Sequence, residues 1–163
     1  MKLKLLFLLL FVCSGLSARS KSVIQNFDRQ AYYTVLASGK MDQINDELAL
    51  LRSSSTPEKE AYEGTLLMRK AGLEKIPAEK LKYFKKGRIK LETAIQKDND
   101  NAEYRFLRLI IQEHAPGIVK YSAQIPADKQ IIKASYKNLP HSVQQAIIDY
   151  SKSSKILHPE DFN

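Results

Sequence analysis

Apolar side chains in this chain recur three and four residues apart, segment after segment, and that spacing builds the buried stripe of a helix. Phe27, Ala31, Val35 and Leu36 form one stripe, and Ile44, Leu48 and Leu51 form the next. Ala61, Gly64, Leu67, Met68 and Ala71 make a third. A fourth helix is expected over 78–97, with Leu81, Phe84, Gly87, Leu91, Ala94 and Ile95 on its buried side. The fifth, over 102–114, carries Tyr104, Phe106, Leu107, Leu109, Ile110 and Ile111. It is apolar on two sides, which predicts the most buried element. After a short segment over 118–122, helices are expected over 127–138 and 140–153, the last with Val143, Ala146, Ile147 and Tyr150 on one stripe. No stretch alternates with period two between hairpin turn residues, so strands are not expected. The predicted class is all-α.

Local punctuation agrees with that division. Gly39 suits a left-handed C-cap after the first helix, and Asp42 suits an N-cap for the second. Ser53, Ser54 and Ser55 read as a loop. Thr56 followed by Pro57 reads as an N-cap and first helical residue, a position where a missing N–H costs nothing. Gly72 is expected to stop the third helix, and Leu73 to Pro77 to connect it to the fourth. Asp98 to Asn101 is a turn-forming cluster, and Pro116 with Gly117 ends the fifth helix.

The first eighteen residues belong to a different kind of signal. Lys2 and Lys4 precede an unbroken apolar run from Leu5 to Cys13, and residues that are small apart from Leu16 follow as far as Ala18. Such a run spans about 14 Å as a helix, against a hydrocarbon core of about 30 Å, so it reads as a cleavable export signal rather than an anchor. Cleavage is expected after Ala18, leaving 19–163 as one helical domain in the periplasm or secreted. Cys13 offers a second possibility, lipid attachment, although Val12 before it is bulkier than such sites usually carry. If Cys13 leaves with the signal, the mature chain has no cysteine, hence no disulfide and no thiolate metal site.

Charge is abundant and uneven. Removal of Lys2 and Lys4 leaves 24 basic and 18 acidic side chains. Between Arg69 and Lys90 there are nine Lys or Arg against only Glu74 and Glu79. Outside the cytoplasm nucleic acid is not the expected target of such a surface; an acidic protein, polysaccharide or membrane face is.

A period is visible as well. Gly39 and Gly72 stand 33 residues apart and each is expected to close the first helix of a pair. Ala37-Ser38-Gly39 echoes Ala71-Gly72, Ile44/Leu48/Leu51 echoes Gly87/Leu91/Ala94, and Thr56-Pro57 takes the place that Asn99-Asp100 takes later. Over 27–115 this resembles the tetratricopeptide repeat, a helical hairpin of about 34 residues. The second pair departs from the pattern by an insertion of about ten residues before Gly87, and the repeat's aromatic-leucine-glycine core is nowhere intact. The stretches Ala61-Tyr62-Glu63-Gly64, Lys70-Ala71-Gly72 and Glu103-Tyr104-Arg105-Phe106-Leu107-Arg108 resemble small uncharacterised exported proteins of Gram-negative bacteria. The resemblance implies antiparallel hairpins in a right-handed stack, with extra C-terminal helices over 118–163, and carries no activity.

Chemistry is not expected from these residues. His114, His141 and His158 lie in three separate segments without metal-ligand spacing. No serine sits in a glycine-flanked elbow, and the glycines are scattered singly rather than forming a phosphate loop. No cofactor, metal or catalytic residue is assigned. Stacked hairpins instead present a concave face lined by the first helix of each pair. That mapping puts Arg29 and Tyr33 on the first such helix, Tyr62, Arg69 and Lys70 on the second, and Arg105, Phe106 and Glu113 on the third. Tyr33, Tyr62, Arg69, Lys70, Arg105, Arg108 and Glu113 are therefore the candidate partner-binding residues, since Tyr and Arg combine large contact area with directed hydrogen bonds. Each tyrosine could instead pack in the core with its hydroxyl at the rim. Arg105 and Arg108 could instead pair with Glu103 or Asp98. The expected function is non-catalytic binding of a protein or peptide in the cell envelope. The alternative is a peripheral envelope protein held to a membrane surface by the basic helix 78–97 or by lipid on Cys13, although the apolar stripe of that helix reads more simply as its core face and the lysines opposite as ordinary solvated exterior.

Overall fold

A computed structural model describes residues 27–163, and the expected export signal and Cys13 lie outside them. Among the described residues there are seven α-helices and no strand. They are α1 (Arg29–Ser38), α2 (Met41–Ser53), α3 (Lys59–Leu73), α4 (Pro77–Lys97), α5 (Ala102–His114), α6 (Ile125–Ser135) and α7 (His141–Ser151). Short 3₁₀ turns occupy Gly117–Val119, Tyr136–Asn138 and Pro159–Phe162. The all-α expectation holds for this part of the chain.

Helix ends show where local sequence rules won and where they lost. The Asp28 carboxylate caps α1 by accepting from the N–H groups of Gln30 (2.9 Å) and Ala31 (3.1 Å). Gly39 ends α1 at φ 61°, a left-handed conformation that costs a residue without Cβ almost nothing. Asp42 does not cap α2; Lys40 holds that place without a side-chain bond, and Asp42 sits inside the first turn. There its charge favours the positive end of the helix dipole instead. Thr56 and Pro57 likewise lie in a turn before α3, whose N-cap is Glu58. Gly72 stops nothing: α3 continues through it to Leu73 and leaves by an extended Glu74.

α3 is the centre of the arrangement. Its residues from Ala61 to Met68 are buried without a break, so it packs on several sides at once. α4 runs antiparallel to it, as the pairings of Glu60 with Lys90, Gly64 with Gly87 and Lys70 with Tyr83 require. The approach is close because two glycines face each other. A Cβ on Gly87 would stand 2.4 Å from the Gly64 carbonyl oxygen and 2.9 Å from the Met68 nitrogen. α1 lies parallel beside α3 with an offset of 33 residues, shown by Arg29 bonding Tyr62 and by Arg69 bonding the Leu36 carbonyl. α5 packs on α3 and α6, and α7 packs on α1.

The buried stripes match the expected ones except at Ala31 of α1, which is exposed where Tyr32 and Tyr33 turn inward, and at Leu81 of α4. Ile44, Leu48 and Leu51 of α2, and Gly87, Leu91, Ala94 and Ile95 of α4, are buried. Leu81 is not: it is 49% exposed, because the first turns of α4 have little packed over them. Full burial of a Leu or Ile stabilises by roughly 1.5–3 kcal/mol, so the stability of α4 comes from its second half. α5 buries nine of its thirteen residues, as its two apolar sides predict.

Candidate functional site

Three side-chain clusters hold most of the charge chemistry, and two of them are inside. The first joins α1, α3 and α5 through Glu103, which is 4% exposed. One carboxylate oxygen of Glu103 accepts from the hydroxyls of Tyr62 (2.7 Å) and Tyr33 (3.0 Å). Arg29 approaches the other at 3.5 Å, donates to the Tyr62 hydroxyl at 2.9 Å and pairs with Glu58. Burial, the largest influence, raises the Glu103 pKa, and the bonds from Tyr62, Arg29 and Tyr33 only partly offset it. Burial and the neighbouring carboxylate also push both tyrosine hydroxyls well above the ordinary tyrosine range. These phenols are donors locked onto a carboxylate. Tyr62 has no exposed surface, and Phe27 stacks on its ring at 4.4 Å. The lining expected of an open concave face is therefore corrected for Tyr33 and Tyr62: both are core residues.

The second cluster ties α4, α5 and α6 together. Arg108 makes a two-pronged pair with Asp128, at 2.7 Å for each prong, and a further bond of 2.8 Å to Glu92. Asp128 is fully buried and Arg108 nearly so. Burial lowers the Arg108 pKa, but bonding to Asp128 and the charges of Asp128 and Glu92 outweigh it, so its charge is held more firmly than usual. Arg105 donates to the Asn99 carbonyl at 2.6 Å, tying down the turn before α5, and reaches Asp128 at 3.4 Å. The carboxylates considered as partners from the sequence were Glu103 and Asp98; the ones found are Asp128 and Glu92. They come from helices distant in the chain, which no local spacing reveals.

Glu113 serves the C-terminal segment. It accepts from the Tyr150 hydroxyl (2.7 Å), the Ser154 hydroxyl (2.6 Å) and the Lys155 N–H (2.6 Å). Burial alone would raise its pKa, but those hydrogen bonds together lower it. Tyr150 also packs edge-on against Phe106 at 5.7 Å. With α7 on α1 and Tyr150 on α5, the chain's own last helix covers part of the face that the hairpin mapping left open.

Arg69 and Lys70, at the end of α3, are half-buried. Arg69 bonds the Leu36 carbonyl at 3.3 Å, and Lys70 bonds Asn45 at 2.7 Å and lies 4.5 Å over the Tyr83 ring. The seven candidate residues are thus not brought to one surface. They are divided among α3, the Glu103 cluster, the Asp128 cluster and the anchor of α7.

The third cluster is outside. Lys75, Lys80, Lys85 and Lys86 are exposed, and none of them is ion-paired among the described residues. Arg88 is exposed too, with its guanidinium 4.6 Å over the Tyr121 ring. Only Lys82, with Glu79 at 3.1 Å, and Lys90, with Glu60 and Glu63, have acidic partners in this stretch. Large apolar side chains stand among these cations: Ile76, Leu81 and Ile89 on or beside α4, and Ile118 nearby in sequence to Tyr121. No group of three potential metal ligands occurs among the described residues, and no helix there is long and apolar enough to cross a membrane. Compared with known protein families, curated proteins and solved structures, the chain matches none.

Proposed function

We propose that this chain is a non-catalytic, tetratricopeptide-like binding module of the cell envelope, exported by a cleavable leader, whose binding face is the basic edge of α4. The 33-residue offset between the parallel helices α1 and α3, with antiparallel α4 on the other side of α3, supports a stack of hairpins. The observation that carries the functional reading is a contrast in pairing. Inside, Arg108, Glu103 and Asp128 are committed to one another and to neighbouring tyrosines. On α4, Lys80, Lys85 and Lys86 are exposed without acidic partners among the described residues, and Lys80 lies in the first turn, where the peptide dipoles favour negative charge. Like-charged side chains three and four residues apart, as Lys82 is from Lys85 and Lys86, cost the fold a few tenths of a kcal/mol each, and we read them as serving an anionic partner. The expectation of a protein or peptide partner on the concave face gives way to this edge, because Tyr33 and Tyr62 are core and α7 covers part of α1.

The test is retention of the chain from Arg19 onward on the washed envelope fraction of its host, beside a variant carrying Lys80→Glu, Lys85→Glu and Lys86→Glu. The native chain is retained at low salt and released as salt rises, and the folded variant is not retained. Equal retention of the two would sink the reading.

A further inference from the structure

The α4 edge is not only basic. Leu81, Lys85 and Ile89 follow one another at four-residue spacing and so form a single row along the helix, with Lys82 and Lys86 beside it. Leu81 is 49% exposed, and Ile89 is 68% exposed at the centre of the outward face. Ile76, 60% exposed, sits at the start of the same helix, and Ile118 is 89% exposed on the 3₁₀ turn before Tyr121. Tyr121 is the link between the two, since Phe84 packs edge-on against it at 5.7 Å and Arg88 covers its ring. The 3₁₀ turn carrying Ile118 is thus tied to α4 through buried Tyr121, on the flank that carries Phe84, Arg88 and Glu92.

We propose that the outward row of α4 docks on an anionic phospholipid bilayer, with the lysines at the headgroup phosphates and Leu81 and Ile89 entering the acyl boundary. The assignment rests on reading the α4 edge as the binding face and names its partner. Mixed chemistry decides between partners. A polysaccharide or other polyanion complements the cations but offers nothing to Leu81 and Ile89. A headgroup layer offers negative charge and, a few ångströms deeper, hydrocarbon, so lysine heads that snorkel to the phosphates leave the apolar side chains between them facing the hydrocarbon. The excess of basic residues over the whole chain steers approach to a negative surface in the same sense.

Co-sedimentation with two kinds of vesicle tests this: phosphatidylcholine alone, and phosphatidylcholine with about a third phosphatidylglycerol. The protein is purified from the envelope of its host, so that it carries whatever N-terminus it naturally has. It is expected to pellet with the anionic vesicles, to be released by high salt, and to stay in the supernatant with the neutral ones. Lys85→Gln with Lys86→Gln should weaken binding about 30-fold, at about fivefold for each lysine. Ile89→Ser should weaken it about fivefold and leave the salt dependence unchanged, since it removes apolar contact and no charge. All three positions are exposed, and unchanged circular dichroism melts would show that folding is intact. Binding to neutral vesicles as strongly as to anionic ones, or indifference to the lysine changes, overturns the assignment. Retention on the envelope fraction without vesicle binding also overturns it, and points to an acidic protein there while leaving the binding module standing.

Discussion

The α3–α5–α6 interior and the outer edge of α4 treat charge in opposite ways. In the interior Asp128 has no exposed surface and Arg108 almost none, yet each meets its partner with two hydrogen bonds. On the edge Lys80, Lys85 and Lys86 are exposed and without ion pairs among the described residues. Buried ions left unpaired are strongly destabilising, so an interior charge has to be answered within the fold. An exposed lysine is answered by water and is free to be used elsewhere. Density of charged residues therefore does not separate the two regions; the fraction that is paired does.

Substitutions of graded effect break or sharpen that contrast. The largest loss is expected for Arg108→Met, which strands Asp128: about 3–5 kcal/mol in urea unfolding. Replacing both members, Arg108→Met with Asp128→Leu, should recover most of it, and failure to recover would show that the pair does more than answer its own burial. Gly87→Ala comes next, at about 2 kcal/mol, because its Cβ meets the Gly64 carbonyl and the Met68 backbone rather than open space. The gain in helix propensity of about 1 kcal/mol is already set against that figure. A thermal melt no lower than that of the native chain would mean that α3 and α4 are not held at this distance.

Glu113→Gln should cost about 1–2 kcal/mol at neutral pH, since it keeps a carbonyl acceptor but loses charge-assisted bonds to Tyr150, Ser154 and Lys155. Its pH dependence separates it from Glu103. The folded pKa of Glu113 is lowered, so its contribution is full above the ordinary glutamate pKa and lost as pH falls through the folded value. The folded pKa of Glu103 is raised, so the fold holds that proton more tightly than the unfolded chain does. Its contribution then grows as pH falls from the folded value towards the ordinary one. Stability curves against pH should lose their acid decline in Glu113→Gln and their decline towards neutrality in Glu103→Gln; the same curve for both variants would contradict the two environments. The smallest effect belongs to the edge: Lys85→Gln and Lys86→Gln should each leave stability within about 0.5 kcal/mol in the same urea titrations.

Much of the fold is legible in the chain because helices are local. The stripe Ile44, Leu48, Leu51, the bounds of α4 and α5 and the left-handed turn at Gly39 all follow from spacing or from one residue's backbone freedom. Gly72 misleads for the same reason. Nothing local distinguishes a glycine that ends a helix from one that is carried through it, and what continues α3 past Gly72 is the packing of Leu73 against the core. Of the candidate site, the aromatic and basic residues were visible but their surroundings were not. Glu103 could have been noticed, since it shares a stripe with Phe106 and Leu107, and a carboxylate there must find donors. Asp128 has a similar clue in standing one turn before buried Ile132. Their donors, Tyr33, Tyr62 and Arg108, could not have been assigned, because they arrive from other helices.

By itself the sequence determined that the chain forms helices, where most of them run, and that positive charge gathers on the fourth. Those are consequences of side chains three and four residues apart, which meet whatever the rest of the chain does. Only the tertiary structure decided which charges are spent and which remain. Pairing inside a protein depends on what lies across the helix interface, and the sequence separations of the decisive pairs, 41 residues for Tyr62 with Glu103 and 20 for Arg108 with Asp128, lie beyond any local rule.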